Sequence, residues 1–184
     1  MGVSQPGQAG IKRTFHKDAD ADSRMGFGTI NDGTWPAHNA TLYTSLEGYT
    51  SVHPKNEFAQ QFQGFFNAPA TGNYRFFMSC DDKCKLHMDT TPYNAAAPVE
   101  PTLTEIAWRN SAGGWRDYFS TPSDSFNQFE SAWVVLTAGE SYYLEAEHLQ
   151  YTGGEHISVS VEIEDAAASG HPMASHAIQH FMID

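Results

Sequence analysis

Two aspartates stand side by side in Cys80-Asp81-Asp82-Lys83-Cys84. The aromatic run Tyr74-Arg75-Phe76-Phe77-Met78 leads into them and reads as a strand rich in β-formers. An alternating segment follows, with Leu86 and Met88 set against Lys85, His87 and Asp89. The pattern is strand, acidic turn, strand. Adjacent carboxylates at a strand end repel each other, and a bound cation removes that repulsion. Ca²⁺ suits such a place because it takes several carboxylate and carbonyl oxygens at once. The plainer reading is a solvated acidic turn, since Asp is a common turn residue. Two ligands alone do not make a calcium site.

Cys80 and Cys84 flank the pair. Along one continuous strand their Cα atoms would lie about 13 Å apart, too far to bond. If the chain turns at Asp81-Asp82-Lys83, they face each other across a hairpin and a disulfide becomes possible. So short a loop gains only about 2 kcal/mol of chain entropy, and the larger effect is to fix the acidic turn. Two reduced thiols in a cytosolic protein are the alternative. Zinc is disfavoured, because Cys-x3-Cys has neither a second cysteine pair nor a clear histidine pair.

The elements that position this turn must come from 184 residues, a length that suits one domain with a sizeable core. Charged residues make up only 17%, and the twelve Phe, eight Tyr and four Trp are not a disordered composition. The net charge of −12 argues against nucleic acid or an anionic membrane surface as partner, and is compatible with cation binding. No apolar run is long enough to insert into a membrane. The N-terminus lacks the basic and apolar regions of a signal peptide. Met1-Gly2 reads as a start placed on a fragment, so targeting signals are expected to lie outside it.

Taken in order, residues 1–10 read as a flexible lead-in and residues 11–165 as one domain. Ile11–Phe15 is a short strand. Residues 25–56 carry many turn formers and read as a long irregular connection with a strand near Thr41–Tyr43. Phe58–Phe66 and Tyr74–Met78 are strands joined by a turn. Residues 90–103, with Pro92, Pro98 and Pro101, read as a loop. Thr104–Trp108 and Trp133–Leu136 are further strands. Ser141–His148 alternates, and so do residues 156–164, with Ile157, Val159, Val161 and Ile163 on one face. Residues 166–184 read as an edge strand, a short helix or a linker. With no long helical period anywhere, the class is all-β, an antiparallel β-sandwich with long irregular loops.

Other candidate motifs carry less. Asp18-Ala19-Asp20-Ala21-Asp22 has EF-hand spacing, but Ser23 and Thr29 stand where the loop needs Gly and Glu, so it reads as a solvated acidic loop. Asn39-Ala40-Thr41 is a glycosylation sequon that matters only in a secreted protein. The nine histidines are scattered, and most are expected at the surface. Glu145 and Glu147 mimic a glycosidase pair, yet on an alternating strand they are expected to form a solvated face. There is no nucleophile elbow, His-Glu-x-x-His or Walker loop, so the chain is not expected to be an enzyme. Among aromatics, Trp108, Tyr118 and especially Trp133 are expected in the core. Trp35 and Trp115 lie in turn-rich loops and are the better candidates for ligand contact.

One set of residues is similar to the central signature of the PA14 domain. It comprises Phe62-Gln63-Gly64-Phe65-Phe66, Pro69, Gly72, Tyr74, Phe76, Ser79, Asp81-Asp82, Leu86 and Asp89. Trp133–Leu136, Ala138-Gly139, Tyr142–Ala146 and Gly153-Gly154 fit the same family in order. The resemblance spans about residues 10–165, and two ordered blocks are far more specific than an acidic pair. Trp115-Arg116 and His148–Ser158 resemble the fibrocystin-type members, and yeast flocculins and bacterial adhesin lectins are more distant.

The resemblance implies a twisted antiparallel β-sandwich. In sugar-binding members two aspartates joined by a cis peptide chelate Ca²⁺, a second loop adds oxygens, and the ion takes vicinal sugar hydroxyls. Asp81 and Asp82 occupy the matching positions. The second loop falls at Gln150–Glu155, where Thr152, Gly153 and Glu155 would supply oxygens and Gln150 and Tyr151 would meet the ligand. Lectin members often carry an Asn there, and the cysteines also depart from the usual pattern. The function expected is an extracellular or cell-surface, Ca²⁺-dependent carbohydrate-binding or adhesion module, with a glycan or surface glycoprotein as partner. The alternative is a structural or protein-interaction module of a large extracellular protein, contacting its other domains, with or without structural calcium.

Overall fold

β-Branched and aromatic residues at alternating positions suit a pleated surface with one face packed and the other polar. The computed structural model of the protein describes residues 11–16, 37–43, 46–50, 58–118, 129–164 and 179–180. Among these, every regular element is a strand: β1 (Ile11–His16), β2 (Ala37–Tyr43), β3 (Glu47–Thr50), β4 (Phe58–Asn67), β5 (Gly72–Asp81), β6 (Lys83–Met88), β7 (Thr104–Arg109), β8 (Val134–Leu136), β9 (Ser141–Gln150), β10 (Glu155–Ile163) and β11 (Gln179–His180).

They form two antiparallel sheets. One has the order β2-β1-β4-β9-β6-β7, and the other β11-β10-β5-β8 with β3 also paired to β10. The longest ladders are β4 with β9, from Phe58↔Gln150 to Asn67↔Ser141, and β5 with β10, from Tyr74↔Ile163 to Asp81↔His156. Phe62, Leu86, Leu144 and Ala146 of the first sheet share one apolar core with Phe76, Met78, Ile157 and Val159 of the second. Phe66 meets Tyr74 and Phe76 across it, edge to face, at 5.5 and 5.4 Å. Each fully buried Phe or Leu contributes roughly 1.5–3 kcal/mol by leaving water. The chain is an all-β antiparallel sandwich, as its alternation predicts.

The path through the acidic turn differs from the expected hairpin. β5 and β6 belong to opposite sheets, and Asp82 alone separates them. The turn carries the chain from one layer to the other. Cys80 and Cys84 are disulfide-bonded, with Cα atoms 6.2 Å apart, so the bond staples the two layers rather than two hairpin strands. Both cysteines are buried in the core.

Several surface expectations also change. Glu145 and Glu147 are only 5% and 3% exposed. β9 is a central strand, so in-register neighbours from β4 and β6 flank both glutamates, and Gln63 Nε2 donates to Glu145 at 3.0 Å. His16, His148 and His156 are buried rather than at the surface. Trp133, expected in the core, is 38% exposed, because it precedes the edge strand β8; the Arg75 guanidinium, 4.7 Å from its ring centre, covers only part of it. The turn-rich stretch 25–56 yields β3 as well as β2 among its described residues. The proposed lead-in over residues 1–10, and residues 165–178 and 181–184 of the tail, lie outside the described residues; β11 pairs with β10 at Ser160 and Val161.

Candidate functional site

β5 delivers Asp81 to one end of the sandwich, and the crossing to β6 sets Asp82 beside it. The peptide between them is cis. Burial raises the Asp81 carboxyl to about 6, and the charge of Asp82 and a hydrogen bond with its carboxyl add to this, while Arg109 opposes it. Two carboxyls in contact repel each other when both are charged, and a positive charge between them would relieve that repulsion.

The second loop, residues 151–154, closes directly on this pair. Tyr151 N–H donates to Asp82 Oδ2 at 2.7 Å. Lys83 Nζ reaches the Tyr151 hydroxyl at 3.3 Å and lies 5.1 Å from its ring centre. Gln150 Nε2 donates across the loop to Gly154 O at 3.0 Å, and Gly153 takes φ +90°, a conformation that favours glycine. Gln150 itself is buried, and its Oε1 has no hydrogen-bond partner among the described groups. Thr152 and Gly153 are exposed at the loop tip, while Glu155 is buried at the start of β10, paired with Thr50 of β3.

Trp115 stands on the same side. Its loop is pinned to the second sheet: Ser79 Oγ donates to Gly114 O at 2.7 Å, Asp117 N–H donates to Ser79 Oγ at 3.2 Å, and the Tyr118 hydroxyl donates to Ser158 Oγ at 3.0 Å. Arg116, at φ 55°, holds Glu47 through two bonds of 3.0 and 2.9 Å. Trp115 is 41% exposed and meets His156 edge-on at 5.5 Å, and His156 is the register partner of Asp81. Tyr118, by contrast, is buried, as expected. Trp35 lies outside the described residues.

Around these residues sit groups that the sequence reading passed over. His148 donates from Nε2 to the Asp81 carbonyl oxygen at 2.7 Å. Burial lowers its pKa to about 3, so the ring is neutral. Burial likewise lowers His156 to about 4. The Arg109 guanidinium packs against Phe129 at 4.2 Å and fills the space that a side chain at Gly113 would need. The available signal was parity: His148 shares an inward face with Leu144 and Ala146, and a polar ring there requires partners.

Among the described residues no cluster of three or more His, Cys, Asp or Glu side chains gathers. A cation at the turn would therefore have the two carboxylates as its only charged side-chain ligands, unless a loop residue moved in. The oxygens in reach are hard donors, which suits Ca²⁺ over softer metals. No helix among the described residues is long and apolar enough to cross a membrane.

A two-sheet sandwich with a crossing acidic turn and a loop folded over it is a recognisable class. Residues 7–173 match the PA14 domain, and the chain belongs to the PA14 domain family. Fibrocystin from Canis lupus familiaris is similar, 27% identical over 114 residues, a match that covers 59% of this chain and 3% of fibrocystin. The chain thus spans a small fraction of that relative. Among solved structures, the A domain of Epithelial Adhesin 9 from Candida glabrata, in complex with Galβ1-4GlcNAc, superposes with a TM-score of 0.60 at 9% identity, over 89% of this chain and 86% of that one. The PA14 sugar-binding domain from an RTX adhesin gives 0.59 at 11%, over 96% and 99%. The PA14 domain of the MpAFP antifreeze protein gives 0.56 at 10%, over 100% and 93%. At such identities the likeness is one of fold.

Proposed function

We propose that this domain is an extracellular, Ca²⁺-dependent carbohydrate-binding module that serves adhesion, and a binding module rather than an enzyme. The observation that carries the reading is the junction of the two loops: Asp81 and Asp82 crowd together, and Tyr151 N–H ties the second loop to Asp82. The acidic pair would hold the ion. The Thr152 hydroxyl and carbonyls such as that of Gly153 are the additional donors assigned to it, Glu155 could join only by leaving its buried place at the start of β10, and Ca²⁺ would offer its remaining positions to vicinal hydroxyls of a sugar. Trp115 supplies an exposed aromatic ring against His156, the register partner of Asp81, and Gln150 and Tyr151 shape the loop that would face the glycan. Trp35 is retained as a further contact. The adhesins of similar fold, one of them in complex with a galactose-containing disaccharide, support a surface glycan or glycoprotein as partner. The disulfide supports an oxidising, extracellular setting.

A second reading is favoured by one contact. Lys83 and Tyr151 clasp the loops together through protein groups alone. A structural or interaction module of a very large protein, contacting its other domains, would need no more. A glycan array with and without a calcium chelator separates the two. Glycan binding that disappears with chelator supports the lectin reading. Calcium binding with a silent array leaves the structural module.

A further inference from the structure

A buried polar side chain is tolerated when each of its donors and acceptors is matched. His148 is 0% exposed, and both ring nitrogens are matched. Nδ1 lies 2.5 Å from Gln60 Nε2, and Nε2 lies 2.7 Å from the Asp81 carbonyl oxygen. An amide NH₂ only donates and a carbonyl oxygen only accepts, so the partners fix the tautomer: Nδ1 accepts and Nε2–H donates. The orientation of the Gln60 amide is fixed in its turn, because Arg13 Nε can only donate, and it does so to Gln60 Oε1 at 2.5 Å. The chain therefore runs one way, from Arg13 on β1 through Gln60 on β4 and His148 on β9 to Asp81.

Its end point sets it apart from an ordinary core histidine. The oxygen it holds belongs to the peptide that joins the two acidic residues. With that oxygen held from inside the sandwich and the Asp82 carboxylate held by Tyr151 N–H from the loop, the plane of the peptide and the direction of its acidic side chains are set from two sides. We propose that His148 is a positioning residue of the acidic site, oriented by Gln60 and Arg13, and that it presets the two carboxylates for a divalent cation. The cation part rests on the calcium reading of Asp81 and Asp82. Groups that orient ligands from behind typically change metal affinity about 10–100-fold when removed.

The test pairs two measurements on the same protein. Long-range ¹H–¹⁵N spectra at neutral pH are expected to show His148 as the Nε2–H tautomer; an Nδ1–H tautomer or a charged ring overturns the chain of bonds. Calcium titration by calorimetry then compares the unmutated protein with His148→Leu, His148→Gln and Gln60→Met. His148→Leu and Gln60→Met are expected to weaken calcium about 10-fold or more. His148→Gln, whose amide NH₂ can replace Nε2–H, is expected to restore most of the affinity. If His148→Leu and Gln60→Met lower the melting temperature yet bind calcium as the unmutated protein does, His148 is a core residue only and the inference is wrong. Should His148→Leu not fold, Gln60→Met decides in the same way. If the unmutated protein binds no calcium, the calcium reading fails on its own. The positioning role then stands or falls with the tautomer and with whether the Asp82 amide signal shifts in Gln60→Met; an unshifted signal overturns it.

Discussion

Aspartates bracket β6 at both ends, and the two ends use them differently. Past Met88, Asp89 Oδ1 accepts Thr91 N–H and Oδ2 accepts Thr102 N–H, each at 2.8 Å. Both oxygens serve as a local cap that ties down the proline-bearing loop 90–103. Ahead of Lys83, Asp82 gives one oxygen to Tyr151 N–H, and Asp81 is pressed against it with its carboxyl raised to about 6. Residue type and strand are alike, and each acid stands one residue outside β6, at opposite ends. What differs is the number of backbone donors aimed at each acid. An acid matched by N–H groups stabilises its loop; two acids in contact with few donors still attract positive charge.

This contrast can be broken by substitution. The largest effect is expected from Asp82→Ala, which should abolish any calcium-induced rise in melting temperature while the β-rich far-UV spectrum persists, because the residue is a turn ligand and not core. Next comes the double change Cys80→Ala and Cys84→Ala. It should cost about 2 kcal/mol in urea unfolding through the lost loop constraint. Calcium affinity should fall with it, since the staple holds the crossing between sheets.

Asp89→Ala should cost about 1 kcal/mol, the worth of exposed hydrogen bonds to a loop, and should leave the calcium response intact. A lost calcium response in that variant would erase the distinction between the two turns. The smallest effect concerns Tyr143, whose carbonyl accepts the Asp89 N–H at 3.0 Å. Burial, aided by the Glu145 charge, raises its phenol above the ordinary value of about 10. The unfolded chain ionises first, so this contribution is complete below pH about 10 and is lost as pH climbs towards the folded value. Denaturation midpoints should fall on that alkaline side, and less steeply in Tyr143→Phe.

The strands were legible because alternation is local. Residues 157–163 and 141–148 show which side chains share a face without reference to the rest of the chain. β3 was hidden because Glu47–Thr50 sits among turn formers and owes its form to pairing with β10. The acidic turn was legible as a turn, but not as a crossing between sheets: nothing within Cys80–Cys84 states which layer receives β6. Alternation also assigned Glu145 and Glu147 to the outer face without revealing that Gln63 and the side chains of β6 would cover it. His148 escaped because its partner Gln60 lies 88 residues away in sequence, and only the fold brings a neutral ring beneath Asp81.

The most direct test is thermal unfolding of the unmutated protein at increasing calcium, with magnesium as control. A site that binds only the folded state should raise the melting temperature with ion excess, by about 2.7 kcal/mol of stability at 100 times Kd, and Asp82→Ala should flatten the curve. No shift in the unmutated protein at millimolar calcium would contradict the account and leave the acidic turn as a purely structural crossing.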